Sequence, residues 1–346
     1  MGNDALQTLG PFLASQRGRA NRPWQALVLA GVLCAVLLGS WAAGGGDPAW
    51  GRLDRFPLPD PFRWRDLVPL VALVGLTRLG IPVSTSFLVL TAVAPPQLGA
   101  MARKSAAGYG VAFAVGALAY GLLGAWMEGP GASLSSAPAV SPTPTAPVAP
   151  PTPTASAGLP APTAPPAPLT PTAPAAPATP MASRWGGAIP WQALQWLATL
   201  ALWSQWLVQD LANIYVYLPR HLNLAELLAT LVVLSGAVAL VVALGGGPLQ
   251  ERLRSKSPLE EARATTLLSL LQGLVLVAFL GGDRLPMSTS WVFLGLLAGR
   301  EVGLGCRGLG RQAPAVARDL TLDLLRAGVG LATSLAVALL VAGDRA

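Results

Sequence analysis

Charged residues are scarce in this chain of 346 residues: Asp, Glu, Lys and Arg make up only 11% of it, whereas 53% is hydrophobic. A soluble domain needs about 25% charged residues to cover its surface, so we expect most of the surface to face lipid. The two cysteines, Cys34 and Cys306, do not indicate a disulfide framework and are expected to be free thiols. The net charge of +7 is carried largely by arginines in short loops between apolar runs. That distribution is typical of a membrane protein and argues against nucleic acid as a partner.

Catalytic signatures are also missing. The chain has no HExxH, no GxSxG and no phosphate-binding Gly-Lys loop. Its single histidine, His221, follows Arg220 in a predicted loop. Because general acid–base catalysis needs titratable side chains and few are present, we expect neither enzyme activity nor an organic cofactor.

Apolar runs near the roughly 20-residue length of a spanning helix divide the chain into two blocks. The first block, residues 1–128, has runs at 24–43, 68–94 and 106–126. The second block, residues 187–346, has runs at 189–218, 222–244, 265–280, 285–298 and 320–341. The predicted fold is therefore all-α: a polytopic protein of the cell (inner) membrane, surrounded by lipid.

A change of composition separates the two blocks. Residues 129–186 are dominated by Pro, Ala, Thr and Ser, with neither an aromatic nor a charged residue as far as residue 180. Such a segment cannot bury enough apolar surface to offset the entropy of ordering. It is predicted to be a disordered, extended spacer outside the membrane, and the alternative is a PxxP-type ligand.

Two pairs of similar segments recur in the same order in the two blocks. Residues 82–87 read Pro-Val-Ser-Thr-Ser-Phe, and residues 286–291 read Pro-Met-Ser-Thr-Ser-Trp. A fainter pair, residues 3–7 and 209–213, reads amide, Asp, two further residues and a second amide. The spacing between the Asp and the Ser-Thr-Ser segment is about 80 residues in both blocks. An internal duplication of this kind is typical of secondary transporters.

Each Ser-Thr-Ser segment is predicted to follow a break in a membrane helix. Pro82 and Pro286 lack an N–H and end the arriving helix, and Ser or Thr then caps a new one. The new helices are expected to be half-helices or re-entrant arms, which are tolerated only inside protein or beside a wet cavity. Their N-termini and hydroxyls suit an anion or Na⁺, and the alternative is an ordinary capped break. The candidate substrate-binding residues are Ser84, Thr85, Ser86, Ser288, Thr289 and Ser290.

Asp210 lies in a long apolar run and shares a polar stripe with Gln205, Gln209 and Asn213. A charge at the bilayer centre costs about 2.5–3.5 kcal/mol, so Asp210 is expected to face the interior of the bundle and to have a partner. A carboxylate beside amide oxygens suits a hard cation or a proton. The alternative puts Asp210 near the interface, capping the segment before Pro219. The corresponding candidates for a coupling ion in the first half are Asn3, Asp4 and Gln7.

Arg78 and Arg284 each stand just before a Pro-x-Ser-Thr-Ser segment. They could contact an anion. The alternative is that they complement the C-terminal end of the arriving helix or extend to the membrane interface.

The motifs resemble those of the inorganic phosphate transporter (PiT) family of cation-coupled permeases, and in particular a divergent bacterial branch. That family carries one Gly-x-Asn-Asp-x-x-Asn motif and one Pro-Val-Ser-Thr-Thr-His motif in each half. Residues 2–7 and 209–213 are similar to the first motif, and residues 82–86 and 286–290 are similar to the second. The resemblance covers most of the chain apart from residues 129–186.

The resemblance implies two inverted repeats around a central site, with Na⁺ or H⁺ at the Asp-amide motifs and a tetrahedral oxyanion at the Ser-Thr ends. The expected function is a cation-coupled permease of phosphate or a similar oxyanion; the alternative is a non-transporting membrane scaffold or regulatory subunit. Assembly of the protein as a homodimer is left as an open alternative. The chain departs from the family at Phe87 and Trp291, which replace His, and at Gln7 and Gln209, which replace Asn. Since the first motif begins at residue 2, the helix before it is expected to be encoded upstream or to have been lost.

Overall fold

The computed structural model describes residues 2–16, 22–59, 61–79, 83–127, 190–244, 262–281, 283–309 and 313–342. All regular structure in these ranges is helical, as the all-α prediction requires. The predicted spacer, residues 129–186, lies outside the described residues, as do Pro82 and the side chains of Asn3, Asp4 and Gln7. Before the spacer the helices are α1 (Gly2–Ser15), α2 (Arg22–Ala43), α3 (Val68–Leu79), α4 (Thr85–Val93) and α5 (Leu98–Met127). After it they are α6 (Trp191–Asp210), α7 (Ala212–Tyr215), α8 (Leu224–Ala243), α9 (Ala262–Ala278), α10 (Thr289–Cys306) and α11 (Ala313–Ala342).

Four of the described helices, α2, α5, α8 and α11, are long and apolar enough to cross a membrane. In α2, Leu29, Leu33 and Leu37 recur every four residues and are fully buried, whereas Leu27 is 63% exposed. On α8, Val232 is 74% exposed. A helix that buries one stripe and presents further large apolar side chains on its outer face is suited to lipid contact. The chain therefore has the helices of a multi-pass membrane protein.

The helices of the two halves pack against each other reciprocally. Helix α4 of the first half packs on α11 of the second, α10 of the second half packs on α5 of the first, and α2 packs on α8. The crossing of α10 with α5 is very close, because Gly295, Gly299 and Gly303 form a side-chain-free stripe on α10. A Cβ added to Gly299 would collide with the carbonyl oxygen of Phe113 on α5. Each half therefore packs part of its helical surface on the other.

The two Ser-Thr-Ser segments begin new helices, as predicted. Ser84 and Ser288 are N-caps with nearly equal backbone angles: φ −77° and ψ 115° at Ser84, φ −76° and ψ 109° at Ser288. The Ser84 hydroxyl accepts a hydrogen bond from the Phe87 amide at 3.3 Å, and the Ser288 hydroxyl accepts one from the Trp291 amide at 3.2 Å. Pro286 lies in the non-helical segment between α9 and α10.

The half-helix prediction holds for α4 and not for α10. Helix α4 has nine residues and is too short to cross a bilayer. Helix α10 has 18 residues and continues past the apolar run that was expected to end at residue 298. Beyond residue 298 it carries Arg300, which is only 3% exposed and forms an ion pair with the neighbouring Glu301, at 2.7 Å from Nη1 to Oε1. The glycine stripe of α10 meanwhile packs on α5.

Candidate functional site

Asp210 is held by side chains from both halves of the chain. It is the last residue of α6 and is 4% exposed. Its Oδ1 accepts hydrogen bonds from Asn213 Nδ2 at 2.9 Å and from Ser86 Oγ at 3.3 Å. Its Oδ2 accepts one from Thr289 Oγ1 at 2.9 Å. The carboxylate therefore faces the interior of the bundle and has partners, as the cost of a charge in lipid requires.

Asn213 reaches the carboxylate because the chain stays helical between α6 and α7. Leu211 separates the two helices and keeps helical angles of φ −58° and ψ −31°, so the chain continues in nearly the same direction. Asn213 then lies about one turn beyond Asp210, where its amide nitrogen reaches both Asp210 and Ser86 Oγ, the latter at 3.1 Å. One amide thus connects the aspartate to the first Ser-Thr-Ser segment.

The N-termini of α4 and α10 meet at this point. Ser86 lies in the first turn of α4, and Thr289 is the first residue of α10. The residues that follow the two Ser-Thr-Ser segments, Phe87 and Trp291, are in edge-to-face ring contact. Because the N-terminus of a helix carries partial positive charge, both helix ends favour negative charge at the place where the Asp210 carboxylate lies.

Three buried oxygens in or next to this cluster have no hydrogen-bond partner among the described residues: Thr85 Oγ1, Gln209 Oε1 and Asn213 Oδ1. Thr85, Asn213 and Asp210 line a common cavity of about 200 Å³, together with Trp206 and Tyr217. Buried polar atoms are nearly always paired, so oxygens without a partner beside a cavity mark room for a bound group. A carboxylate, a hydroxyl and an amide carbonyl are hard oxygen ligands of the kind that bind a cation such as Na⁺.

The remaining predicted residues have other surroundings. Ser84 and Ser288 act as caps, and the Ser288 amide also donates to Ser105 Oγ at 2.8 Å. Ser290 is buried in the first turn of α10. The amide nitrogen of Gln209 faces the Leu276 carbonyl oxygen at 3.5 Å.

The two predicted arginines are not part of the Asp210 cluster. Arg78 is exposed in the last turn of α3, as the helix-end alternative requires. Arg284 lies in the non-helical segment before α10, where its φ of 52° is in the left-handed region. Its Nη1 is 3.9 Å from Asp54 Oδ2, and both side chains are largely exposed.

Arg52 was missed by sequence reasoning. It lies in a loop rich in Arg and Asp, and such a composition predicts exposure to solvent. The Arg52 side chain is nevertheless only 3% exposed. Burial lowers the pKa of Arg52 to about 10, even though the charges of Asp210 and Asp283 raise it. The influence of Asp210 on this pKa connects the loop electrostatically to the cluster. No sequence pattern distinguishes Arg52 from its neighbours Arg55, Arg63 and Arg65.

No protein-family model matches the chain, and no curated protein or solved structure matches it either. The resemblance to the inorganic phosphate transporter family therefore stays a prediction. The contacts of Asp210 are the firmest basis for a functional proposal.

Proposed function

We propose that the protein is a cation-coupled secondary transporter of phosphate or a similar inorganic oxyanion, working as a permease in the cell's inner membrane. The observation that supports this most directly is that both Ser86 and Thr289 donate hydrogen bonds to the Asp210 carboxylate. These two hydroxyls belong to similar segments in different halves of the chain. A change in the charge of a carboxylate that both segments contact alters the hydrogen bonds of both halves at once.

Coupling follows from competition for the same donors. When Asp210 is ionised, its oxygens engage the hydroxyls of Ser86 and Thr289 and the amide of Asn213. An oxyanion that needs those donors would also meet a like charge, which costs about 4 kcal/mol at 4 Å for an effective dielectric constant of 20. A proton or Na⁺ on Asp210 removes the repulsion and frees the donors. Anion binding then depends on prior or simultaneous binding of the cation.

The cation would be bound by buried oxygens beside the Asp210 cavity. In the part of the chain that the structure describes, Thr85 Oγ1 and Asn213 Oδ1 have no hydrogen-bond partner, and their residues line the same cavity as Asp210. Together with the carboxylate they offer three oxygen ligands, which suits Na⁺. A proton would need only the carboxylate. The coupling ion is therefore proposed as Na⁺ or H⁺, with Asp210 as its principal ligand in either case.

Alternating access would come from movement of the two halves around this cluster. We treat the halves as repeats, inverted as the resemblance implies, and their reciprocal packing of α4 on α11 and α10 on α5 supports a two-fold relation. The matched caps at Ser84 and Ser288 support it further. A small rotation of one half would separate Ser86 from Thr289 and open the cavity to one side.

The alternative function is a non-transporting membrane scaffold or regulatory subunit that keeps this fold. The contact between Phe87 and Trp291 favours it, because two apolar rings join the helix ends where a transport path would pass. Transport requires this contact to separate during the cycle, whereas a scaffold does not.

Uptake into proteoliposomes tests the proposal. The purified protein is reconstituted, and labelled phosphate or sulfate is supplied with an inward Na⁺ gradient, an inward H⁺ gradient or no gradient. We expect gradient-dependent uptake that Asp210→Asn reduces to background. Asp323→Asn is the matched control, because Asp323 is a helical carboxylate that pairs with Arg326 on its own helix α11. If no gradient drives any oxyanion, and Asp210→Asn behaves as the parent protein does, the scaffold alternative is correct.

A further inference from the structure

A buried cation without an ionic partner lies in the loop between α2 and α3. Arg52 is 3% exposed, and its Nη1 is buried without a hydrogen-bond partner. Within the described part of the chain, the Arg52 side chain forms no ion pair and donates no hydrogen bond. Since Arg and other charged side chains are almost never fully buried unless paired, this guanidinium calls for a partner of opposite charge.

The guanidinium keeps its charge in this position. Its pKa is lowered by burial but remains about 10, well above neutral pH. Asp210 and Asp283 act on it through space without contacting it. Among the described residues, Asp210 and Asp283 are the carboxylates whose charges act on Arg52, and neither forms an ion pair with it.

A cavity of about 220 Å³ adjoins Arg52. It is lined by three guanidinium side chains, those of Arg52, Arg55 and Arg284, and by two carboxylates, Asp54 and Asp283. Both carboxylates have cationic neighbours. Asp283 Oδ1 is 2.6 Å from Lys104 Nζ and also accepts from the Leu285 amide, and Asp54 faces Arg284 at 3.9 Å. With Lys104 included, the side chains around the cavity carry an excess of positive charge.

The backbone makes room for the guanidinium of Arg284. Gly51 has a φ of 68°, and a Cβ added to it would lie 2.6 Å from Arg284 Nη1. The absence of a side chain at Gly51 thus lets Arg284 lie over the loop that carries Arg52. Three arginines are gathered at one cavity because two separate loops, one from each half, are packed this closely.

We propose that this cavity is a second anion site, in which Arg52, assisted by Arg55 and Arg284, binds a tetrahedral inorganic oxyanion such as phosphate or sulfate. The planar fork of an arginine matches two oxygens of such an anion, and three arginines line this one cavity. Binding at this site stands by itself. Its role as the entry site for transport to the Asp210 cluster rests on the proposed function.

Thermal unfolding of the full-length protein in detergent tests the site without any transport measurement. Sulfate and phosphate are titrated against gluconate at matched ionic strength, with intrinsic tryptophan fluorescence as the signal. A ligand that binds only the folded state raises the midpoint in a saturable way. We expect that rise for the parent protein, and an apparent affinity weaker by about tenfold or more in Arg52→Gln. Arg103→Gln, which removes the same charge from an exposed position on α5, should retain the parent's response.

The same titrations contain the results that would overturn the proposal. If Arg52 were purely structural, Arg52→Gln would unfold at a lower temperature with or without oxyanion, and the parent would show no oxyanion-specific rise. If Arg52→Gln fails to fold, Arg52→Lys keeps the charge but not the fork. Weaker oxyanion affinity in Arg52→Lys supports the site, and unchanged affinity refutes it.

Asp210→Asn separates this inference from the proposed function. If the parent protein shows the oxyanion-dependent rise, Arg52→Gln weakens it and Asp210→Asn retains it, while no gradient drives flux in the parent protein, the anion site is supported and transport is refuted. Flux that persists in Arg52→Gln, together with a parent protein that lacks the rise, refutes the anion site alone.

Discussion

The rings of Phe87 and Trp291 meet edge to face, with 5.5 Å between their centroids and 82° between their planes. Each residue directly follows a Ser-Thr-Ser segment, so equivalent positions of the two segments touch each other. The contact lies beside the hydrogen bonds that Ser86 and Thr289 make to Asp210. Two stretches of chain about 200 residues apart are therefore joined by apolar and polar contacts at the same level of the bundle.

The first prediction concerns this ring pair. An edge-to-face contact contributes about 0.5–1.5 kcal/mol beyond area burial. Phe87→Leu and Trp291→Leu should each lower the free energy of unfolding, and the double variant should lose less than the sum by roughly that amount. Unfolding by a denaturing detergent, followed by circular dichroism, measures the three values. Additivity within about 0.3 kcal/mol would show that the rings do not stabilise one another.

The second prediction concerns the hydroxyl of Thr289. Thr289→Val keeps the shape but removes the donor to Asp210 Oδ2, which leaves a buried carboxylate oxygen without that hydrogen bond. We expect a loss of about 1–3 kcal/mol in the free energy of unfolding. Thr289→Ser retains a hydroxyl and is the conservative control. In an Asp210→Asn background the cost of Thr289→Val should shrink, because a neutral amide needs the donor less; an equal cost in both backgrounds would contradict the pairing.

The third prediction concerns the caps. Ser84→Ala and Ser288→Ala each remove a side-chain acceptor from a helix N-terminus, which costs about 1 kcal/mol. Because the two caps have nearly the same φ and ψ, the two losses should be similar. Ser204→Ala is the comparison: Ser204 is half-buried within α6, and its hydroxyl donates to the Ala201 carbonyl of its own helix. Its replacement should change the free energy of unfolding by less than about 0.5 kcal/mol.

The fourth prediction concerns the α5–α10 crossing. Gly299→Ala would push a methyl group into the Phe113 carbonyl, and overpacking of this kind typically costs about 1–3 kcal/mol. Gly305→Ala is a matched control on the same helix, since nothing lies within 4 Å of a Cβ built there. Alanine at 305 should be neutral or stabilising by up to about 1 kcal/mol, because it is the better helix former. Equal effects at 299 and 305 would refute the close crossing.

The long apolar helices α2 and α8 could be predicted from sequence alone. The apolar run predicted at 24–43 corresponds to the helix Arg22–Ala43. The run predicted at 222–244 corresponds to the helix Leu224–Ala243. Both depend on hydrophobic length, which is a local property of the sequence. The Ser caps at 84 and 288 were predictable for the same reason, because proline and serine act on the backbone next to them.

Features that depend on packing between distant segments were not predictable. Helix α1 was not predicted from the sequence, and Pro11 lies inside it. The part of α10 beyond residue 298 includes the ion pair between Arg300 and Glu301, which hydropathy counts only as two unfavourable charges. Arg52 looks like any loop arginine until its loop packs against the segment that carries Asp283. The contacts of Ser86 and Thr289 with Asp210 were likewise not predictable, because two segments that are similar in sequence need not lie close together in the fold.

The reciprocal packing of the halves has a consequence for biogenesis. Helices α4 and α5 are made early, but their packing partners α11 and α10 are encoded beyond the Pro- and Ala-rich segment. At about 5–20 residues per second, the ribosome needs roughly 10–40 s after finishing α5 to complete α10. During that interval the face of α5 that receives the glycine stripe lacks its partner helix. The first half must therefore persist as an unfinished interface until α10 and α11 have been made.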